Sequence, residues 1–155
     1  MKILFVCASN VCRSPYCEYV FRDMVQKDPI LRDKVKIKSA AVLNRMKKIN
    51  EKTRRVLIED GFDADYVDSH KPSYLYDDPQ RFEEADIIIG MTKFQKFLLP
   101  KKYKKKYITL SEAAIGKYEQ IPDPWLIKDF DEYRSRMEII KGYLDKYFDK
   151  LKKEY

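Results

Sequence analysis

The sequence predicts an α/β fold, a single three-layer domain in which a four-stranded parallel sheet carries helices on both faces. Four short β-rich runs are separated by segments long enough to hold crossover helices. The first run ends at a loop of small residues, which a strong helix start follows. A chain of 155 residues has the usual length of one domain, so we expect one domain over residues 1–155.

The predicted strands are Ile3 to Val6, Val35 to Lys38, Asp86 to Ile89 and Tyr107 to Leu110. After the first strand, Ser14 and Pro15 predict a helix with Ser14 as N-cap and Pro15 as the first helical residue. Apolar spacing continues this helix through Met24.

Two further helices are predicted downstream. Asn50 to Asp60 has helical spacing, with Gly61 placed to end it. Phe130 to Leu151 repeats apolar or aromatic residues every three to four positions, which indicates a long amphipathic closing helix whose aromatic stripe is core. The Pro, Asp and Ser residues of 68–80 and 116–128 are typical of loops.

Composition narrows the class of protein. Charged residues make up 37% and apolar residues 45%, as in soluble globular proteins. The start MKILFV is too short for a signal-peptide core and no apolar run approaches a membrane span, so we expect a cytoplasmic protein. Three cysteines and one histidine form neither a disulfide framework nor a zinc site, which favours reduced thiols and no metal.

The net charge of +7 owes much to the lysines between Lys96 and Lys106, where aromatic residues are interspersed. Such a run could hold nucleic acid or an acidic membrane surface. Charge runs are more often solvated, so the sequence favours a connector between a helix and a strand, and nucleic acid is not the expected partner.

The first strand leads into the most informative segment, VCASNVCRSPY. Cys7 lies at the carboxyl end of that strand, where ligands bind in open parallel sheets. The residues Ala8, Ser9, Asn10, Val11 and Cys12 form a short connection that can turn its amide N–H groups inward. The dipole of the next helix points at the same place, so this loop is suited to bind a tetrahedral oxyanion.

A thiol in such a loop is expected to be ionised, because helix N-termini and nearby cations stabilise a thiolate. Cys7 is therefore a candidate nucleophile. Arg13 can hold two phosphate oxygens with its planar fork of donors, and Ser14 can hydrogen-bond the thiolate and help it leave. Cleavage of a phosphate ester also needs a proton donor, and Asp123 between Pro122 and Pro124 is a candidate for it, although a plain turn explains this pattern equally well.

The segment CASNVCRSPYCE resembles the phosphate loop of the low-molecular-weight protein tyrosine phosphatases, C-x-G-N-x-C-R-S-P followed by a helix. Ser39-Ala40 after the second strand, His70 in a mid-chain loop and Asp123-Pro124-Trp125 follow in the family's order. The resemblance implies one such phosphatase domain, hydrolysis of phosphotyrosine through a phosphocysteine, and no metal or organic cofactor. It assigns Asp123 as general acid and then as general base.

The resemblance also implies supporting roles. Asn10, Ser14, Ser39 and His70 would hold the loop through hydrogen bonds. Trp125, next to Asp123, is expected to form a wall against a phenyl ring, the alternative being a core residue. Cys12 is a candidate for a reversible disulfide with Cys7, the alternative being a buried apolar residue. Cys17 is expected to be core. The expected partner is a phosphotyrosine protein or peptide, and we expect a monomer.

Some positions depart from the family pattern. Ser9 replaces a glycine and Ala8 a bulkier wall residue, which predicts a wider pocket and a stiffer loop. Leu126 stands where many members have a second aromatic residue, and residues 42–48 lack the aromatic of the opposite wall. Thr92 replaces an aspartate, which could loosen the positioning of Arg13.

Three alternatives stay open. Arsenate reductases have a similar loop but need downstream cysteines, and none occurs after Cys17. Protein arginine phosphatases carry threonine in place of Val11, and an apolar residue there favours a phenyl phosphate. The third alternative is a binding module that captures phosphate without turnover while the lysine run contacts nucleic acid or lipid; a steep salt dependence would support it.

Overall fold

Four parallel strands form the centre of the fold in the computed structural model, which describes residues 1–155. They are β1 (Lys2–Cys7), β2 (Lys36–Ala41), β3 (Ile87–Gly90) and β4 (Tyr107–Thr109). Their spatial order is β2-β1-β3-β4, and every neighbouring pair is parallel. The predicted strand number and direction are confirmed.

Strand β2 differs most from its predicted range, since it continues to Ala41 instead of ending at Lys38. The last three residues of β2 pair with Phe5, Val6 and Cys7. Small side chains give little strand signal on their own. Pairing with a buried central strand extends β2, and this extension places Ser39 beside Phe5 and Ala41 beside Cys7 at the end of β1.

Eight α-helices surround the sheet. They are α1 (Arg13–Lys27), α2 (Glu51–Glu59), α3 (Ala64–Asp68), α4 (Gln80–Glu84), α5 (Lys93–Leu98), α6 (Lys101–Lys104), α7 (Leu110–Ile115) and α8 (Phe130–Lys152). A 3-10 turn covers Pro124–Leu126. No helix is long and apolar enough to cross a membrane.

The core lies on both faces of the sheet, as the predicted three layers require. Alternate residues of β1 point to opposite faces. Ile3 and Phe5 join a cluster of 27 buried residues that includes side chains of α1, α2, α7 and α8. Leu4 and Val6 join a cluster of 11 on the other face, which contains Phe82 of α4.

The start of α1 differs from the prediction. The helix begins at Arg13 with Cys12 at the N-cap, so Ser14 and Pro15 lie inside the first turn. The hydroxyl of Ser14 bonds to Cys7 and Asn10 instead of capping the helix. Pro15 is tolerated because the amides of the first turn have no intrahelical acceptor.

The other two predicted helices are confirmed. The Asn50 side chain caps α2 by accepting from the amides of Lys52 and Thr53, and Gly61 follows the helix with φ +101°. The predicted stripe of α8 is core, with buried side chains at Tyr133, Met137, Ile140, Leu144, Tyr147 and Leu151.

The lysine run connects α5 to β4, as the sequence favoured, but part of it is helical. Leu99 and Tyr103 are buried, and this burial stabilises the short helix α6. Lys102 pairs with Glu83 at 2.6 Å, and Lys106 Nζ donates to the carbonyl of Ala85 at 2.8 Å.

Candidate active site

The loop between β1 and α1 curls at the carboxyl edge of the sheet. Asn10 has φ +58°, and it is the one residue other than glycine with positive φ. The Ala8 carbonyl accepts from the amides of Leu43 and Asn44 at 3.0 and 3.1 Å, and the Val11 carbonyl accepts from Asn50 at 3.0 Å. These bonds tie the loop to the segment after β2 and to the start of α2.

The side chain of Asn10 organises the interior of the loop. Its Nδ2 donates to Ser14 Oγ and to Ser39 Oγ, both at 2.8 Å, and its Oδ1 accepts from the Ser73 amide at 3.0 Å. His70 Nε2 donates to the Asn10 carbonyl at 2.9 Å. Burial lowers the pKa of His70, which favours the neutral ring, and the carbonyl acceptor requires a proton on Nε2. The four residues predicted to support the loop therefore meet.

The direction of these hydrogen bonds determines which donors point at Cys7 Sγ. Ser14 Oγ accepts from Asn10, so its hydrogen is free to point at Cys7 Sγ, 3.0 Å away. The Ser14 amide also points at this sulfur at 3.5 Å. Donors aimed at a sulfur stabilise its ionised form, which makes the arrangement suited to a nucleophilic thiolate.

Sequence reasoning missed Glu18, which completes this chain of hydrogen bonds. Its carboxylate accepts from the Ser39 hydroxyl and from Arg22 Nη2, and only 11% of its side chain is exposed. Since a carboxylate only accepts, the Ser39 hydroxyl must donate its hydrogen to Glu18. The lone pairs of Ser39 Oγ are then left to accept from Asn10. A Glu on the first helix gives no such signal in sequence, because its partner Ser39 lies 21 residues away on strand β2.

Arg13 is buried under the loop. Its Nη1 donates to the Ile121 carbonyl at 2.7 Å, and its Nη2 lies 3.5 Å from Asp123 Oδ2. Its buried Nε has no hydrogen-bond partner within the protein. A buried donor without a partner is costly, so this Nε is suited to bind an anionic oxygen in the loop.

Thr92, the departure expected to loosen Arg13, has another role in the fold. Its amide donates to Gln95 Oε1 at 3.2 Å at the start of α5, and its carbonyl accepts from the Tyr107 hydroxyl. The backbone carbonyl of Ile121 anchors Arg13 in this structure.

The other two cysteines are buried and free. Burial raises the pKa of Cys12 to about 12 and that of Cys17 well above its ordinary value. Cys17 is core, as predicted. Cys12 lies in the loop as a protonated thiol, and its disulfide with Cys7 stays a prediction.

A cavity of about 570 Å³ opens above the loop. Its walls include Cys7, Val11, Asp123 and the predicted wall residue Trp125, which is 62% exposed. The Trp125 amide donates to Asp123 Oδ1 at 3.1 Å, so the Asp-Pro-Trp turn holds both side chains at the mouth. The opposite wall is aliphatic, with Leu43 and Met46 in place of an aromatic residue, and an acidic side chain, Glu51, lines the cavity as well.

The role of Glu18 can be measured. We expect Glu18→Gln to lower the free energy of unfolding by about 1 to 3 kcal/mol, because an amide cannot accept from both Ser39 and Arg22 without presenting its own hydrogens. Urea unfolding checks this value, with exposed Glu154→Gln as the control and an expected change below about 0.5 kcal/mol. Equal stability of the two variants would contradict the proposed bond chain.

The fold and the loop define a class of α/β enzymes that bind phosphate beside a thiol. The chain belongs to the low molecular weight phosphotyrosine protein phosphatase family, whose model matches residues 2–155. It is 27% identical to a protein-arginine-phosphatase of Bacillus subtilis, covering 99% of both chains. It is 29% identical to the low molecular weight protein-tyrosine-phosphatase PtpB of Staphylococcus epidermidis, covering 94% of this chain and 96% of the relative.

A solved structure shares the fold closely. It is the YwlE arginine phosphatase in a cysteine-to-serine form with a phosphorylated active-site serine. The TM-score is 0.85 at 26% identity, and the match covers 99% of this chain and 97% of the other. The predicted family and fold are thus confirmed, and the chain is a phosphatase of this family.

Proposed function

We propose that this protein hydrolyses phosphotyrosine and small aryl phosphates through a phosphocysteine intermediate. The observation that carries the proposal is the environment of Cys7 Sγ, which receives the Ser14 hydroxyl and amide beside the unpartnered Nε of Arg13. The loop thus carries a thiol with two donors aimed at it and a buried guanidinium donor without a partner, the groups that phosphoryl transfer needs.

In the first step the Cys7 thiolate attacks phosphorus and the bond to the phenol oxygen breaks. Arg13 Nε and Nη2 and the loop amides bind the equatorial oxygens, where charge develops. Asp123, at the mouth of the cavity, gives its proton to the leaving oxygen. A phenol is thereby released, and phosphorus is left bonded to sulfur.

In the second step Asp123 takes a proton from water, and the water oxygen attacks phosphorus. The phosphorus–sulfur bond breaks and inorganic phosphate leaves. The Cys7 thiolate is the leaving group, and the hydroxyl of Ser14 at 3.0 Å stabilises it. The substrate, one water molecule and the side chains named here balance these two steps.

The apolar surroundings of the loop support an aryl substrate. Val11 is nearly buried at the floor of the cavity, and Trp125, Leu43 and Met46 supply apolar walls. A phenyl ring gains free energy from such walls without needing a polar partner.

A second candidate is phosphoarginine hydrolysis. The full-length similarity to an arginine phosphatase favours it, and Glu51 and Asp123 place two carboxyl groups in the cavity, where a guanidinium could bind. Val11 counts against it, since the resemblance places threonine there in arginine phosphatases.

Release of phosphate from matched phosphotyrosine, phosphoarginine and phosphoserine peptides separates these candidates. We expect phosphotyrosine to give the highest kcat/KM in the presence of chelator, with inhibition by vanadate. Val11→Thr is expected to raise kcat/KM for the phosphoarginine peptide relative to that for the phosphotyrosine peptide. A wild type that prefers phosphoarginine would overturn the aryl proposal, and phosphate binding without any turnover would support the binding module.

A further inference from the structure

Helices α5 and α6 present a surface of lysines and phenylalanines, most of them exposed, beside the candidate active site. We call it the Lys-Phe surface, and its members are Lys93, Phe94, Lys96, Phe97, Lys101 and Lys104. Phe94 is 58% exposed and Phe97 is 72% exposed, and their rings stack at 6.2 Å. Large apolar side chains exposed as a pair, and ringed by charge, are typical of interaction sites.

The lysines of this surface have no acidic partner. Residues 93–106 contain seven lysines and no acidic residue. Lys102 and Lys106 are bound to the segment around Glu83, whereas the amines of Lys93 and Lys104 lie over the rings of Tyr118 and Phe97, at 4.7 and 5.6 Å.

One acidic residue, Glu112, lies within electrostatic reach of the surface. Hydrogen bonds to Thr109 lower the pKa of Glu112, and the charges of Lys93 and Lys96 lower it further. Its carboxylate is already bound by the Thr109 hydroxyl at 2.7 Å. The surface therefore keeps an excess of positive charge.

A groove of about 470 Å³ joins this surface to the candidate active site. Its lining includes Arg13 and Asp123 of the candidate site together with Phe94, Leu98 and Tyr118. Ala8 and Asp123 border both this groove and the cavity above the loop. Because the two spaces share these lining residues, a chain with its phosphoryl group at Cys7 can continue toward α5.

We propose that the Lys-Phe surface binds an acidic segment, containing apolar residues, of the phosphoprotein substrate, next to the phosphorylated residue. This inference rests on the proposed function, since it specifies which residues flank the phosphorylated residue of the substrate. The charge of the surface complements carboxylates, and the phenyl rings complement apolar side chains. The groove leads to the reaction centre, which favours substrate over a lipid surface as the occupant.

The test compares phosphotyrosine peptides of equal length whose four flanking residues are Glu-Phe-Asp-Leu or Gln-Phe-Asn-Leu, placed on either side in separate sets. With the flanking residues on one of the two sides, we expect kcat/KM at low salt to be about five-fold higher for the acidic peptide than for the amide peptide. This ratio is expected to fall toward one at high salt. In Lys93→Glu/Lys96→Glu the ratio is expected to fall to one or below.

The control Lys150→Glu/Lys153→Glu makes the same charge change at the end of α8. This end packs near Asp28, at the far end of α1 from the loop, and the control is expected to keep the ratio of the wild type. Turnover of p-nitrophenyl phosphate within two-fold of wild type shows that each variant is folded.

The outcomes separate the two proposals. If wild type does not turn over p-nitrophenyl phosphate or either peptide, the proposed function fails. If it does and the acidic and amide peptides have equal kcat/KM in both sets, the docking proposal is wrong. In that case, binding to phosphatidylglycerol vesicles that Phe94→Ala/Phe97→Ala abolishes would show that the surface contacts membranes instead.

Discussion

Cys7→Ser is expected to lower turnover of phosphotyrosine more than about 10⁴-fold while phosphate binding is retained. A serine hydroxyl is not ionised at neutral pH, so the substitution removes the nucleophile. The amides of the loop and the guanidinium of Arg13 stay in place, so the oxyanion site persists. Steady-state hydrolysis measures the first effect, and stabilisation against heat by added phosphate measures the second.

Cys12→Ser is the matched control, since it makes the same chemical change five residues along the same loop. We expect its turnover to lie far above that of Cys7→Ser, because the donors of Ser14 point at Cys7 Sγ. Wild-type turnover in Cys7→Ser would exclude the phosphocysteine route. Similar losses in both variants would indicate that the loop needs two thiols.

Asp123→Asn is expected to lower kcat for phenyl phosphate by about 10² to 10⁴-fold, the usual contribution of a general acid. The amide keeps the shape of the side chain and can still accept from the Trp125 amide, which now bonds to Asp123 Oδ1 at 3.1 Å. The variant cannot, however, give a proton to the leaving oxygen.

The signature of this loss is its dependence on the leaving group. A nitrophenol leaves readily without a proton, so p-nitrophenyl phosphate is expected to suffer a smaller loss than phenyl phosphate. Asp131→Asn, on the exposed first turn of α8, is the matched control and should leave both rates near wild type. An equal loss for both substrates would assign Asp123 to the positioning of Arg13, whose Nη2 lies 3.5 Å away.

The ion pair between Asp123 and Arg13 contributes only modestly to the free energy of unfolding. Asp123 is 38% exposed at its side chain, so solvent screens the pair. The position of Asp123 at the cavity mouth therefore matters more for the proposed chemistry than for the stability of the fold.

Much of this protein follows from its sequence, because local signals there agree with one another. A few consecutive residues are enough to recognise strand β1, the loop of small residues and the capped helix α2. The period of α8 is equally local, and its buried stripe packs as its spacing predicts. Nearness in sequence also places Cys7, Arg13 and Ser14 around one loop.

Other features depend on contacts between distant residues, which no window of sequence contains. The end of β2 at Ala41 depends on pairing with β1, and the first turn of α1 depends on the bond between Ser14 and Cys7. In the candidate site, Glu18 of α1 acts through Ser39 of β2.

The sequence by itself determined the fold class and the loop, since these depend on periodicity and on residues close together in the chain, and the family followed from the resemblance of CASNVCRSPYCE to a known phosphate loop. The tertiary structure decided which donors face Cys7, what anchors Arg13, and that the lysine run borders a groove to the active site. The physical reason is that hydrogen bonds and burial act over a few ångströms, and folding alone brings Ile121, Ser39 and Phe94 to that distance.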